Sequence, residues 1–407
     1  MNWKWLILLL VLVRHGYDFV LDFVRAKSCL NKTPEALQDV YDSETYEKWK
    51  RYSGEKCRLH VVNTAISLIV TALLLVMNVH ARVASLFGAN VYLQGLVVVF
   101  FQAIVDTVCA IAPNYWDDFK IEAAYGFNRT KGKTFVMDQV RSLLIEVVLN
   151  SLLVVVLCFL HQKMGDWVVL LFTGVMFLLT MVISFLSPFL MRMGNKFTPL
   201  EEGELRDNLT ALLTRHGYTV KEIQVMDASR RTTKLNAAFT GMGKTKTIIL
   251  YDNLLNAMSP KEICAVFAHE LGHGLHKDVQ KLQLMNLVNL LLMAVLAWVC
   301  VRTPDMHQAF GFATVNYGFA YVLLSAFLSL LQPVTGMGMN AFSRMVEFRA
   351  DRQAVEEGYG EGLVTALKVL ARENFAHLSP ARLLVVLEYS HPPLGDRIDA
   401  IKKAMDK

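Results

Sequence analysis

Residues 269–273 read His-Glu-Leu-Gly-His. On a helix, positions i and i+4 share one face a turn apart, so both imidazoles can grip a single divalent ion, and Glu270 projects beside them, placed to take a proton from water. A zinc ion lowers the pKa of water it binds to about 7, which puts that proton within reach of a carboxylate at neutral pH. Taken alone, the pentapeptide is a roughly 1-in-100 chance event in a chain of this composition, and two surface histidines near a helix end would look the same. A catalytic zinc needs a third protein ligand and an open position. Six residues past His273 stands Val279, so no third histidine is supplied there. His276 lies near the same face, but one helix rarely supplies three ligands, and a solvent-facing or outer histidine is the better reading. A later segment offers Glu347 and Asp351, again four apart. Glu347 can bind the metal while Asp351 hydrogen-bonds the far nitrogen of a ligand histidine and fixes its tautomer. On their own these two carboxylates would read as an ordinary charged helix surface.

The histidine helix has a clear start. In Ser259-Pro260-Lys261-Glu262 the serine can cap, proline fits the first turn and Glu262 completes a capping box; the helix should run through residue 276. Upstream, Thr198-Pro199 predicts the opening of a helix that runs to His216 and stops at Gly217. Short β-rich runs follow at 223–226, 235–240 and 247–251, and Gly241 and Gly243 make the last two a hairpin.

These elements sit in a chain of 407 residues that is 54% hydrophobic and only 19% charged, with a mean hydropathy of +0.36. Soluble chains average ~45–50% and ~25%. The balance excludes a disordered or fibrous protein and predicts a multi-pass membrane protein. Helical spans are expected at about 3–24, 59–79, 91–112, 143–160, 167–191, 282–301 and 311–332. The segment 25–58 carries eight basic residues, and 113–142 carries Lys120, Arg129, Lys131, Lys133 and Arg141. If residues 3–24 were a signal peptide, the first group would lie outside the cell; no small-x-small cleavage site follows, and a true first span with its N-terminus outside keeps both segments cytoplasmic. The expected organisation is a five-span region (1–191), a cytoplasmic insert with the His-Glu helix (192–281), two further spans (282–332) and a cytoplasmic tail (333–407) that completes the metal site.

Several ionisable groups fall within spans. Arg14, Asp18 and Asp22 share one helix face, and Asp106, Glu146 and Asn150 lie in later spans. Such groups are costly against lipid. They predict either a polar chamber among the helices or paired charges in a dry bundle. The net charge of +5 gives no argument for nucleic acid, and the six cysteines contain no Cys-x-x-Cys pair, so neither a cysteine zinc site nor a redox pair is expected.

At this point the residues resemble a family. His-Glu-Leu-Gly-His, then Glu347-Phe348-x-Ala350-Asp351, then His391-Pro392-Pro393-Leu394 with Arg397 resemble the type I CAAX prenyl proteases. These are integral-membrane zinc endopeptidases of the gluzincin group, and the bacterial heat-shock protease HtpX is a more distant relative. Tyr125-Gly126-Phe127-Asn128, Ser229-Arg230-Arg231 and Asn236-Ala237-Ala238-Phe239 are similar to further family segments, although the strand lacks an aromatic at its third place. The resemblance implies that His269, His273 and Glu347 are the zinc ligands, Glu270 the general base and Asp351 an outer carboxylate. It implies that His391 and Arg397 face the bound peptide and stabilise the oxyanion. It places Asn236, Ala237 and Ala238 on an edge strand to which an extended substrate adds. It also implies about seven helices around a hydrated chamber, a mainly α fold with a short β-sheet, one Zn²⁺, and a peptide or protein substrate, C-terminally prenylated in the family. Two other readings stay open: a quality-control protease with no prenyl requirement, and a transporter or receptor with a structural zinc.

Overall fold

The computed structural model describes residues 2–192, 195–240 and 245–407. Long helices dominate it, and side chains at their entrances explain where several begin. Asp42 accepts from the Thr45 N–H at 2.7 Å to open Ser43–Val76, Asn90 from Leu93 at 3.0 Å to open Val91–Trp116, and Asn316 from Phe319 at 2.8 Å to open Tyr317–Glu356. Each cap satisfies an amide that the helix itself cannot pair.

Among the described residues, five helical stretches are long and apolar enough to cross a membrane: Ser43–Val76, Val91–Glu122, Gly132–Leu186, Asp278–Arg302 and Tyr317–Glu356. The expected count of seven is not confirmed, and two regions account for the difference. The Trp3–Ser28 helix is interrupted by charge: Arg14 pairs with Asp18, and Asp22 is buried between Arg25 and the His60 ring, whose Nδ1 lies 2.7 Å away. The two expected spans between 143 and 191 join into one stretch, as helices Gly132–Met164 and Val168–Arg192 meet at a short 3-10 turn, Gly165–Trp167. Asp106 is exposed on its span and accepts from Gln102 at 2.9 Å, and Glu146 and Asn150 are half-buried. The spans pack where they need no side chain between them: Gly318 lies directly against the carbonyl of Gly95.

The insert builds a four-stranded sheet in the order β1-β2-β4-β3, from Phe197–Pro199, Thr219–Met226, Thr245–Tyr251 and Ala237–Thr240 respectively. β2 and β4 run parallel, and β1 and β3 add antiparallel on either side. The expected hairpin is present as β3 and β4; its turn lies outside the described residues. The helix expected to open at Thr198-Pro199 does not start there. Pro199 instead lies opposite Gln224 on an outer strand, where its missing N–H costs nothing, and the helix is Glu204–Arg215, entered from Gly203.

One core joins this insert to the C-terminal tail. Leu209, Leu212 and Leu213 pack with Ile248 and Leu250 of β4 and with Ile263, Phe267 and Leu271 of helix Pro260–Leu275. Leu363 and Ala366 of helix Gly360–Glu373 and Ile401 of helix Leu394–Met405 close the same cluster. Burying these side chains together is the main force that returns the tail to the insert across two membrane helices.

Candidate metal centre

The capping box forms as the sequence predicts: Ser259 accepts from the Glu262 N–H, and Glu262 accepts from the Ser259 N–H at 2.8 Å. The helix it starts, Pro260–Leu275, crosses the lower half of Tyr317–Glu356. That 40-residue helix runs unbroken from the last expected span, through Pro333, to Glu347 and Asp351. The crossing places Glu347 between the two histidines. Its Oε2 lies 3.5 Å from His269 Nε2 and its Oε1 3.3 Å from His273 Nε2. The three ligand atoms all fall within 4.8 Å of one another. Glu270 is half-buried on the same helix. His276 caps the helix end through its backbone and is not part of the cluster.

The outer nitrogens are committed elsewhere. His269 Nδ1 lies 2.9 Å from Asp351 Oδ1, and His273 Nδ1 lies 3.1 Å from Asp278 Oδ2. A ring nitrogen facing a carboxylate carries the hydrogen, so each Nε2 is left with its lone pair turned toward Glu347. Two lone pairs and a carboxylate facing one another repel unless a cation sits among them. Glu347 is 5% exposed, and its Oε2 has no hydrogen-bond partner. These are the donors, the charge and an oxygen without a hydrogen bond that fit a zinc ion. Burial acts to lower the His269 pKa, but the negative carboxylates of Asp351 and Glu347 beside the ring outweigh it and push it up to about 9. The field at this point favours positive charge.

Arg397 departs from its expected place. It is 8% exposed and turned inward, donating to Asp351 from Nε at 2.9 Å and from Nη2 at 2.5 Å, with Nη1 3.3 Å from Glu347 Oε2. Its planar fork matches a carboxylate, and the pairing leaves little of the guanidinium for a substrate. His391 is the side chain that stays open, with Nε2 3.4 Å from Glu347 Oε1 and Nδ1 2.9 Å from Ser390 Oγ. Asn236 is exposed just before β3, its Oδ1 accepting from the Ala237 N–H at 2.9 Å; Ala237 and Ala238 pair with Leu250 and Ile249, on the outer strand of the sheet. Sequence reasoning missed Asp278 and its partner Arg349. The only signals were an acid five residues past the second histidine and a base two past Glu347.

Comparison with known proteins places this geometry. Residues 199–405 match the profile of peptidase family M48, and residues 25–192 match that of the CAAX prenyl protease N-terminal region, described as five membrane helices. The chain belongs to peptidase family M48. It is 30% identical to CAAX prenyl protease 1 homolog of Arabidopsis thaliana over 90% of each chain. It is 28% identical to CAAX prenyl protease 1 of Saccharomyces cerevisiae, over 92% of this chain and 90% of that one. The crystal structure of S. mikatae Ste24p shares its fold, with a TM-score of 0.92 at 23% identity over 98% of this chain and 99% of that one. This M48 protein is accordingly an integral-membrane metalloendopeptidase.

Proposed function

We propose that this M48 peptidase cleaves peptide bonds at a single zinc ion held by His269, His273 and Glu347, and that its substrates are C-terminally prenylated proteins presented from the cytoplasmic face. The convergence of three ligand atoms from two helices is the observation that carries the reading. When bound, zinc polarises the scissile carbonyl and lowers the pKa of water to about 7. Glu270 takes the proton of the attacking water and returns it to the leaving amine. His391, open and close to Glu347, donates to the oxygen that gains negative charge. Asp351 holds His269 in its ligating tautomer, and Arg397 holds Asp351. An extended peptide adds to β3 along Asn236, Ala237 and Ala238 as a further strand. The prenyl preference rests on the relatives named above, and the cytoplasmic placement on the basic segment 25–58.

The test is cleavage by detergent-purified protein of matched peptides with and without a farnesylated cysteine, before and after chelation. Faster cleavage of the farnesylated peptide, abolished by chelator and restored by zinc, is expected. Equal rates would overturn the prenyl preference and favour a quality-control role; cleavage that survives chelation would overturn the zinc chemistry.

A further inference from the structure

Asp278 has no place in the mechanism above, yet it is 2% exposed. A buried carboxylate is costly unless it is paired. Both of its oxygens are used: Oδ2 by His273 Nδ1 at 3.1 Å, and Oδ1 by Arg349 Nη2. The backbone is bent to bring it there. The helix bearing the two histidines stops at His276, and Lys277 takes a left-handed conformation, φ 55° and ψ 41°. Residues other than glycine rarely adopt it. That one-residue reversal starts helix Asp278–Arg302 and turns its first side chain back against His273. Arg349 arrives from the other direction, two residues beyond Glu347 on the crossing helix.

The contacts therefore form a closed circuit. From Glu347 the path runs along its own helix to Arg349, across to Asp278, on to His273 Nδ1, and from His273 Nε2 back to Glu347 Oε1 at 3.3 Å. On the opposite side, Asp351 and Arg397 make a matching arrangement for His269. His273 has the greater need of a clamp, since its side chain is 19% exposed against 9% for His269, and water can compete for its Nδ1.

Resting on the zinc reading, we propose that Asp278, oriented by Arg349, is a positioning residue for His273. It fixes the tautomer that ligates through Nε2 and sets how slowly the site releases its metal.

The experiment follows zinc release to a chromogenic chelator from full-length, detergent-purified protein loaded with one equivalent. Wild type, Asp278→Ala, Asp278→Asn and His273→Ala are compared, with thermal unfolding recorded for loaded and zinc-free samples. Removal of an outer partner of a ligand histidine weakens metal binding ~10–100-fold, so release from Asp278→Ala is expected to quicken by about that factor. Asp278→Asn keeps the shape but has one oxygen for two partners, and should fall between; it decides the matter if the alanine variant does not fold. Release within about twofold of wild type from both variants, while His273→Ala loses its zinc at once, would overturn the proposal and leave the zinc reading intact. An equal loss of thermal stability with and without zinc, at unchanged release, would likewise overturn it by making Asp278 a packing residue only. If His273→Ala holds zinc as wild type does, the ligand assignment itself fails.

Discussion

A side chain on Gly272 would stand 2.9 Å from the α-carbon of Ala350. Gly272 lies between His269 and His273, and Ala350 between Glu347 and Asp351, so this contact sets the distance between the metal ligands of the two helices. An alanine here would improve helix propensity, but it cannot be placed against backbone. Gly272→Ala is expected to push the helices apart, costing ~1–3 kcal/mol and lowering bound zinc well below one equivalent. Zinc content after gel filtration checks this; a full equivalent would show that the crossing tolerates the methyl group.

Glu270 lies outside the His269, His273 and Glu347 cluster, so on the proposed mechanism Glu270→Gln should keep its zinc and lose the proton transfer. Peptide cleavage should fall by ~10²–10⁴-fold at unchanged metal content. Cleavage near the wild-type rate would remove Glu270 from the role of base.

The two residues expected to contact substrate should behave differently when removed. His391 is exposed and bonded to Ser390, so His391→Ala should lower kcat by ~10²–10³-fold with zinc and stability unchanged. Arg397 is buried against Asp351, and Arg397→Ala leaves that carboxylate without its charge partner. Breaking a buried pair costs ~3–5 kcal/mol, so the thermal midpoint should drop and zinc should be lost. If Arg397→Ala keeps its zinc and midpoint and loses only kcat, the inward role assigned to it is wrong.

Stability should also depend on acid. Burial pushes the His377 imidazole down to about 4. The neutral ring is the form the fold holds: its Nδ1 accepts from the Ser379 N–H at 3.2 Å, and its Nε2 lies 2.8 Å from Ser28 Oγ, joining the tail to the first helix. In the unfolded chain the ring titrates near ~6.5. The native state is therefore fully favoured above that value and loses up to ~3 kcal/mol as pH falls toward 4. Thermal midpoints measured down this range should decline in wild type and decline less in His377→Gln. An equal decline in both would place the acid sensitivity elsewhere.

What could be read in advance was local. The capping box at Ser259 and the i,i+4 histidines need only one helix, and the structure realises them. Glu347 and Asp351, four apart, read on their own as a charged helix surface; only the resemblance of the Glu-Phe-x-Ala-Asp segment set Glu347 apart. Asp278 was hidden, since its approach to His273 depends on a left-handed turn made by a lysine, where sequence rules look for glycine. Thr198-Pro199 misled because proline suits both a helix start and an outer strand, and pairing with β2 decided between them. The seven expected spans are not confirmed as a count: hydropathy cannot see that Asp22 is enclosed by Arg25 and His60, or that the helices on either side of Gly165–Trp167 run on from one another. The pairing of Arg397 with Asp351 was hidden because a sequence motif that resembles peptide-facing residues does not say which way a side chain turns.

The proposed ligand set is divided along the chain: two imidazoles precede helix Asp278–Arg302, and the carboxylate stands toward the end of Tyr317–Glu356. During synthesis, a chain elongated only as far as the imidazoles has two of the three proposed ligands and nothing to close the set. If these are the ligands, a chain that lacks the later helices lacks the carboxylate and has no complete site with which to cut its neighbours. On that reading, competence to cut is itself a certificate that both later helices are in place.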